Sequence, residues 1–373
     1  MKDTKTYFEN LDGWRFLCFL SVFFFHSFHT DFQHIKDNPT YSFIKKDVFG
    51  NGNLGVNFFF VLSGFLITYL IIQELKKYNK IDVVAFWKRR ILRIWPLFYF
   101  CVFFGFVLFP LFKQAFGQVS NETASLPMYL TFLNNFDLIA HGLPDASVLG
   151  VLWSVAIEEQ FYFVWPLLLF FIPLRYHWAI FISIIIASIG FRMANNNPLL
   201  YEHHTLSCIG DLAIGGLGAW CISNSKSFFL WIENMPKYLI YTVYLSFILL
   251  FFFRDEVFLA ETPFKPFERA IVAFLILVII LEQNYAKHSF YKMSSFKRIS
   301  RLGKMTYGMY CLHFIGILIA LKITGILGVN KALWQVLLIE TSLALLLTIL
   351  ISKLSYTYFE MPFLRLKKRF SKI

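Results

Sequence analysis

The chain has 373 residues, of which 57% are hydrophobic, 20% aromatic and only 16% charged. Soluble domains are about 45–50% apolar and about 25% charged, so a water-soluble fold of this composition would lack the polar surface to cover itself. The formal net charge of +12 is spread in short Lys/Arg clusters between apolar runs. That pattern excludes a nucleic-acid-binding module and leaves an all-α, polytopic membrane bundle.

Apolar runs predict about ten membrane helices, near 11–30, 53–75, 93–112, 150–173, 177–194, 205–222, 237–253, 267–283, 303–322 and 332–358. The first run opens with Leu11-Asp12-Gly13-Trp14-Arg15 and lacks a small-residue cleavage site, so it reads as a retained helix and not a signal peptide. Between the runs lie two longer polar stretches, Thr30–Gly52 and Lys113–Leu149. The second holds the sequon Asn121-Glu122-Thr123, a pattern frequent by chance. Cys18, Cys101, Cys208, Cys221 and Cys311 all fall in apolar runs without metal-ligand spacing, and read as buried thiols.

Charge sets the orientation. With the N-terminus in the cytosol, one set of connections holds Lys76, Lys77, Lys80, Lys88, Arg89, Arg90 and Arg93, then Lys287, Lys292, Lys297, Arg298, Arg301 and Lys304. Arg365, Lys367, Lys368, Arg369 and Lys372 follow in a basic cytosolic tail, 359–373, while the alternate loops are poor in cations. This bias fits an even number of spans with both termini inside, and a protein of the inner (plasma) membrane in contact with its lipids.

Ionisable groups within such helices are expensive and usually paired or functional. In the first helix Arg15 and His26 are eleven residues apart, which returns to within about 20° of the same face and separates them by about 16 Å. Arg90 and Arg93 open the third helix on one face, and two guanidiniums at the cytosolic mouth suit the phosphates of a coenzyme A ester. Glu158 and Glu159 begin the fourth helix about 100° apart, so one of them can face His26 and orient it as a base. Tyr307, Tyr310 and His313 form a polar stripe on the ninth helix that could line a pore or an acceptor path. Glu360, beside Pro362, reads as a structural partner for the basic clusters. No residue set has metal-ligand spacing.

Taken together, these segments resemble the acyltransferase 3 family of membrane O-acyltransferases, the O-antigen and nodulation-factor acetylase type. The matching runs are Leu11–Arg15 to His26, Phe58-Phe59-Phe60-Val61-Leu62-Ser63-Gly64-Phe65-Leu66, Arg89–Pro96, Leu152-Trp153-Ser154 through Tyr162, Tyr310–His313 and Phe359–Pro362, in the family's order over nearly the whole chain. Trp14 stands where the family often has Leu, and Trp95 where Tyr is common.

The resemblance implies a single ten-helix domain, 1–373, without an added C-terminal esterase-like domain. It would use cytosolic acyl-CoA, commonly acetyl-CoA, as co-substrate, with no permanently bound cofactor. The acceptor would be a carbohydrate hydroxyl of a surface polysaccharide, a lipid-linked precursor or another exported glycan. By residue it implies a catalytic His26 and functional cations at Arg15, Arg90 and Arg93. A flippase of lipid-linked sugars would share the architecture, but no inverted repeat or paired broken helices mark one. A membrane scaffold leaves Arg15, His26 and Arg93 unexplained.

Overall fold

The computed structural model describes residues 7–259 and 262–370. Among them no strand is formed, and ten long helices carry the fold. These are α1 Glu9–Phe25, α2 Leu54–Tyr78, α3 Val83–Ala115, α4 Trp153–Phe171, α5 His177–Ala194, α6 Thr205–Asn224, α7 Lys237–Val257, α8 Glu268–Tyr285, α9 Thr306–Leu327 and α10 Gln335–Lys367. Eight stretches built on α2 to α7, α9 and α10 are long and apolar enough to cross a bilayer. The two that fall short are enclosed by the rest. α1 has 17 residues, and α8 carries Glu268, Arg269 and Glu282 but buries most of its length inside the bundle. The protein is a polytopic helical membrane protein.

A helix stands at each of the ten expected positions, eight of them long and apolar enough to span, with three informative differences at their ends. α1 stops at Phe25, so His26 is its C-terminal cap (φ −89°, ψ 3°) and not an interior residue. α3 begins ten residues earlier than its apolar run, because the Asp82 side chain caps it by accepting from Ala85 N at 3.0 Å. Arg90 and Arg93 are therefore two to three turns inside a 33-residue helix, which continues through a π-helical turn at Phe104–Leu108. α10 passes position 358 through a second π-helical turn, Ser355–Glu360, and reaches Lys367. Most of the expected basic tail is thus helix, although Lys372 lies outside the described residues.

Close helix contacts rest on residues without side chains. A Cβ on Gly64 of α2 would lie 1.9 Å from Leu212 O of α6, and one on Gly215 would lie 2.1 Å from Val61 O. The two helices meet backbone to backbone, as small residues allow in membrane bundles. Likewise a Cβ on Gly303 would sit 1.8 Å from Asp12 O, so α1 presses against the connection that leads into α9.

The basic clusters gather at one end of the bundle. There Arg89 Nη1 donates to Phe370 O at 2.7 Å, Asn10 Nδ2 to Gln283 O at 2.7 Å, and Lys292 Nζ to Glu282 O and Gln283 O at 2.9 Å. At the other end Ser21 Oγ donates to Gly52 O at 2.9 Å, Arg254 Nη1 to Asn53 Oδ1 at 3.2 Å, and Lys113 pairs with Asp145 at 2.6 Å.

Candidate active site

A cavity of about 350 Å³ opens among α1, α2, α3, α4, α9 and α10. Five cations line it (Arg15, Arg90, Arg93, Lys304 and Lys367) and one carboxylate, Glu158. Each comes from a different local cause. The single turn from Asp12 to Arg15 places the Arg15 guanidinium 2.6 Å from Asp12 Oδ1, and Tyr7 Oη also donates to that carboxylate. Arg90 stands over the rings of Phe86 and Tyr162, with its centre 5.4 and 5.5 Å from them, and its buried Nε has no hydrogen-bond partner among the described residues. Among the described residues neither Arg90 nor Arg93 forms an ion pair. Lys304 follows directly on the Gly303 contact with α1. Lys367 arrives because α10 extends past the apolar run.

The carboxylates occupy positions that the sequence does not fix. Glu158 accepts from Ser63 Oγ at 2.7 Å and from Tyr162 Oη at 2.9 Å. Glu159 accepts from Trp95 Nε1 at 2.8 Å, and its other oxygen is buried without a partner among the described residues. The expectation that one of them orients His26 is not met: both are held within the α2–α3–α4 contact, and neither bonds to His26. Helical spacing separates the two faces of α4 correctly but does not say which neighbour each face meets. Trp95, a departure from the common Tyr, is the donor that holds Glu159.

His26 is met instead by α9. The His313 ring is 5.3 Å from the His26 ring, and the Phe314 ring is 4.9 Å from it. His313 is fully buried, and its Nδ1 lies 2.6 Å from Tyr310 O. Tyr310 and Tyr307 both line the cationic cavity. Tyr310 Oη is 2.7 Å from Ser154 Oγ, and Tyr307 Oη donates to Ile94 O at 2.8 Å. One turn along α9, Phe314 lines a second, mostly apolar cavity of about 210 Å³, whose polar groups are His29 and Ser147. His26 lines neither cavity. It packs against His313 and Phe314, in the α9 segment that runs from Tyr310 of the first cavity to Phe314 of the second.

The wall of the first cavity suits a polyanion. In a low-dielectric setting, guanidiniums without carboxylate partners favour phosphate, and the Arg fork does so in bidentate geometry. Three contributors escape a sequence reading. Lys304 and Lys367 look like topology anchors among other cations, and Ser63 looks like an ordinary small residue in an apolar helix. The Ser63-Gly64 pair does two jobs, since Ser63 holds Glu158 and Gly64 admits α6.

Comparison with known proteins gives the family of the chain. The family profile described as an acyltransferase domain matches residues 8–356. YrhL of Bacillus subtilis is 27% identical over 386 aligned residues, which is 95% of this chain and 55% of YrhL. The peptidoglycan O-acetyltransferase OatA of Listeria monocytogenes is 25% identical over 379, covering 96% of this chain and 56% of OatA. The O-acetyltransferase OatA of Staphylococcus aureus is 38% identical over 133, covering 34% of this chain and 21% of that protein. The chain thus spans about half the length of the relatives it matches end to end. No solved structure matches it significantly. With the profile match covering nearly the whole described bundle, the chain belongs to the acyltransferase 3 family.

Proposed function

We propose that this chain transfers an acetyl group from acetyl-CoA to a sugar hydroxyl of a cell-envelope glycan, at the plasma membrane. The observation that carries the reading is the cationic cavity, where Arg90 and Arg93 form no ion pair among the described residues, and which reaches Tyr310, three residues before His313 and its neighbour His26. We read the mouth of this cavity, at Lys304 and Lys367, as cytosolic, in keeping with the positive-inside pattern. Arg90, Arg93 and Lys367 then hold the donor phosphates, and the pantetheine arm runs along α9 toward Tyr310. His26 takes the proton of the acceptor hydroxyl as that oxygen attacks the thioester carbonyl. Glu158, bonded to Ser63 and Tyr162, offsets part of the cation charge and spaces the donor from α4. His29 and Ser147 mark the acceptor approach. The named activity of OatA from Listeria monocytogenes makes peptidoglycan sugars the first acceptors to try.

The test is purified protein in bilayer nanodiscs with radiolabelled acetyl-CoA and a panel of peptidoglycan fragments and other envelope glycans. Label is expected in an alkali-labile ester on one acceptor class. Movement of lipid-linked sugar across a bilayer with no label transferred would replace this reading with a flippase.

A further inference from the structure

We propose that His313 is the positioning partner of His26, taking the place that a carboxylate holds beside many catalytic histidines. The inference rests on the reading of His26 as the base. Its starting point is a polar atom with nothing to do. His313 Nδ1 faces a backbone carbonyl, Tyr310 O, at 2.6 Å. A carbonyl only accepts, so Nδ1 carries the hydrogen, and Nε2 of the neutral ring is a bare lone pair. That Nε2 is buried and has no partner among the described residues. Buried acceptors are seldom left in this state without a reason.

Among the rings that contact His313 in the described residues, one can answer it. Phe19 and Phe314 pack on the His313 ring at 6.3 and 4.6 Å, and neither has a hydrogen to give. Tyr310 Oη is committed to Ser154 and Val151. The remaining neighbour is the His26 ring at 5.3 Å, inclined by 33°. His26 caps α1 from just outside the helix and makes no side-chain hydrogen bond among the described residues. A turn about its side-chain bonds brings a ring N–H onto His313 Nε2. That contact fixes the tautomer of His26, with its other nitrogen left bare toward the acceptor hydroxyl.

The chemistry balances without a proton on His313. The acceptor oxygen forms its bond to the thioester carbon, and the carbon–sulfur bond breaks. The hydroxyl proton moves to the bare nitrogen of His26 and then to the departing thiolate. While His26 is an imidazolium, its N–H to His313 Nε2 becomes charge-assisted and stronger. Because His313 is tied within one turn of its own helix, it arrives already oriented.

Two substitutions separate positioning from packing. His313→Asn keeps an amide N–H for Tyr310 O but removes the acceptor at the Nε2 position. His313→Gln, one methylene longer, offers an amide oxygen near that position. Both are purified beside wild type and His26→Ala, and thermal midpoint, donor affinity, acceptor KM and kcat are measured. His313→Asn is expected to lower kcat about tenfold or more, with donor affinity, KM and midpoint near wild type. His313→Gln is expected to regain a substantial part of kcat. Wild-type kcat in His313→Asn overturns the proposal, as do equal losses in both variants that follow a fall in thermal midpoint. If His26→Ala is inactive while His313→Asn is fully active, only the positioning role is lost. If His26→Ala keeps wild-type activity, the reading of the whole site falls with it.

Discussion

Arg90 and Arg93 show how a residue's place decides its meaning. Both belong to a cluster that includes Lys88 and Arg89, yet the latter stay at the basic end, where Lys88 lies over Phe370 and Arg89 reaches Phe370 O and Glu74. Arg90, the very next residue, and Arg93, about one turn further in, face the cavity instead. Replacing either by Ala is expected to weaken acetyl-CoA binding about tenfold or more, since each removes charge-assisted bonds worth roughly 1.5–3 kcal/mol. Lys at either position recovers only part, because the bidentate fork is gone. Exposed Lys80 serves as the control, and Lys80→Ala should bind donor normally in isothermal titration. The cations were legible in the sequence because charge inside an apolar run is costly and needs a reason. The partners of Glu158, Glu159 and His26 were not, because a sequence shows which face of a helix a residue occupies and nothing of the helix opposite.

At the scale of elements, hydrophobic runs located all ten helices but not where they stop. An apolar run marks the part of a helix that meets lipid or core. α3 and α10 carry on past it, α3 from the Asp82 cap and α10 through its π-helical turn to Lys367. Both extensions bring cations to the site. The crossing of α2 and α6 is an element contact open to disruption by a single change. Gly64→Ala would put a methyl 1.9 Å from Leu212 O, a clash with backbone that only a shift of one helix can relieve. Overpacking of this kind costs about 1–3 kcal/mol or more. A lower thermal midpoint and lower membrane abundance are expected. Donor affinity should also fall, since the same shift moves neighbouring Ser63 off Glu158. A Gly64→Ala protein with an unchanged midpoint would show that the helices are not this close.

For the whole molecule, the basic end and the cavity mouth coincide, which is why orientation and donor access become one question. Single cysteines at Lys88 and Gln118, in a background free of other reactive thiols, should label from opposite sides of the membrane, with position 88 cytosolic. Labelling from one side only would break the even alternation of helices. In the proposed mechanism acyl transfer passes through His26, beside His313. It is tested most directly by reconstituting wild type and His26→Ala at equal folded amounts and following labelled acetyl from acetyl-CoA to the glycan. General acid–base help is typically worth 10²–10⁴-fold. His26→Ala is expected to lose at least about 100-fold in transfer, with donor binding and thermal midpoint intact. Transfer at near wild-type rate by a well-folded His26→Ala protein would contradict it.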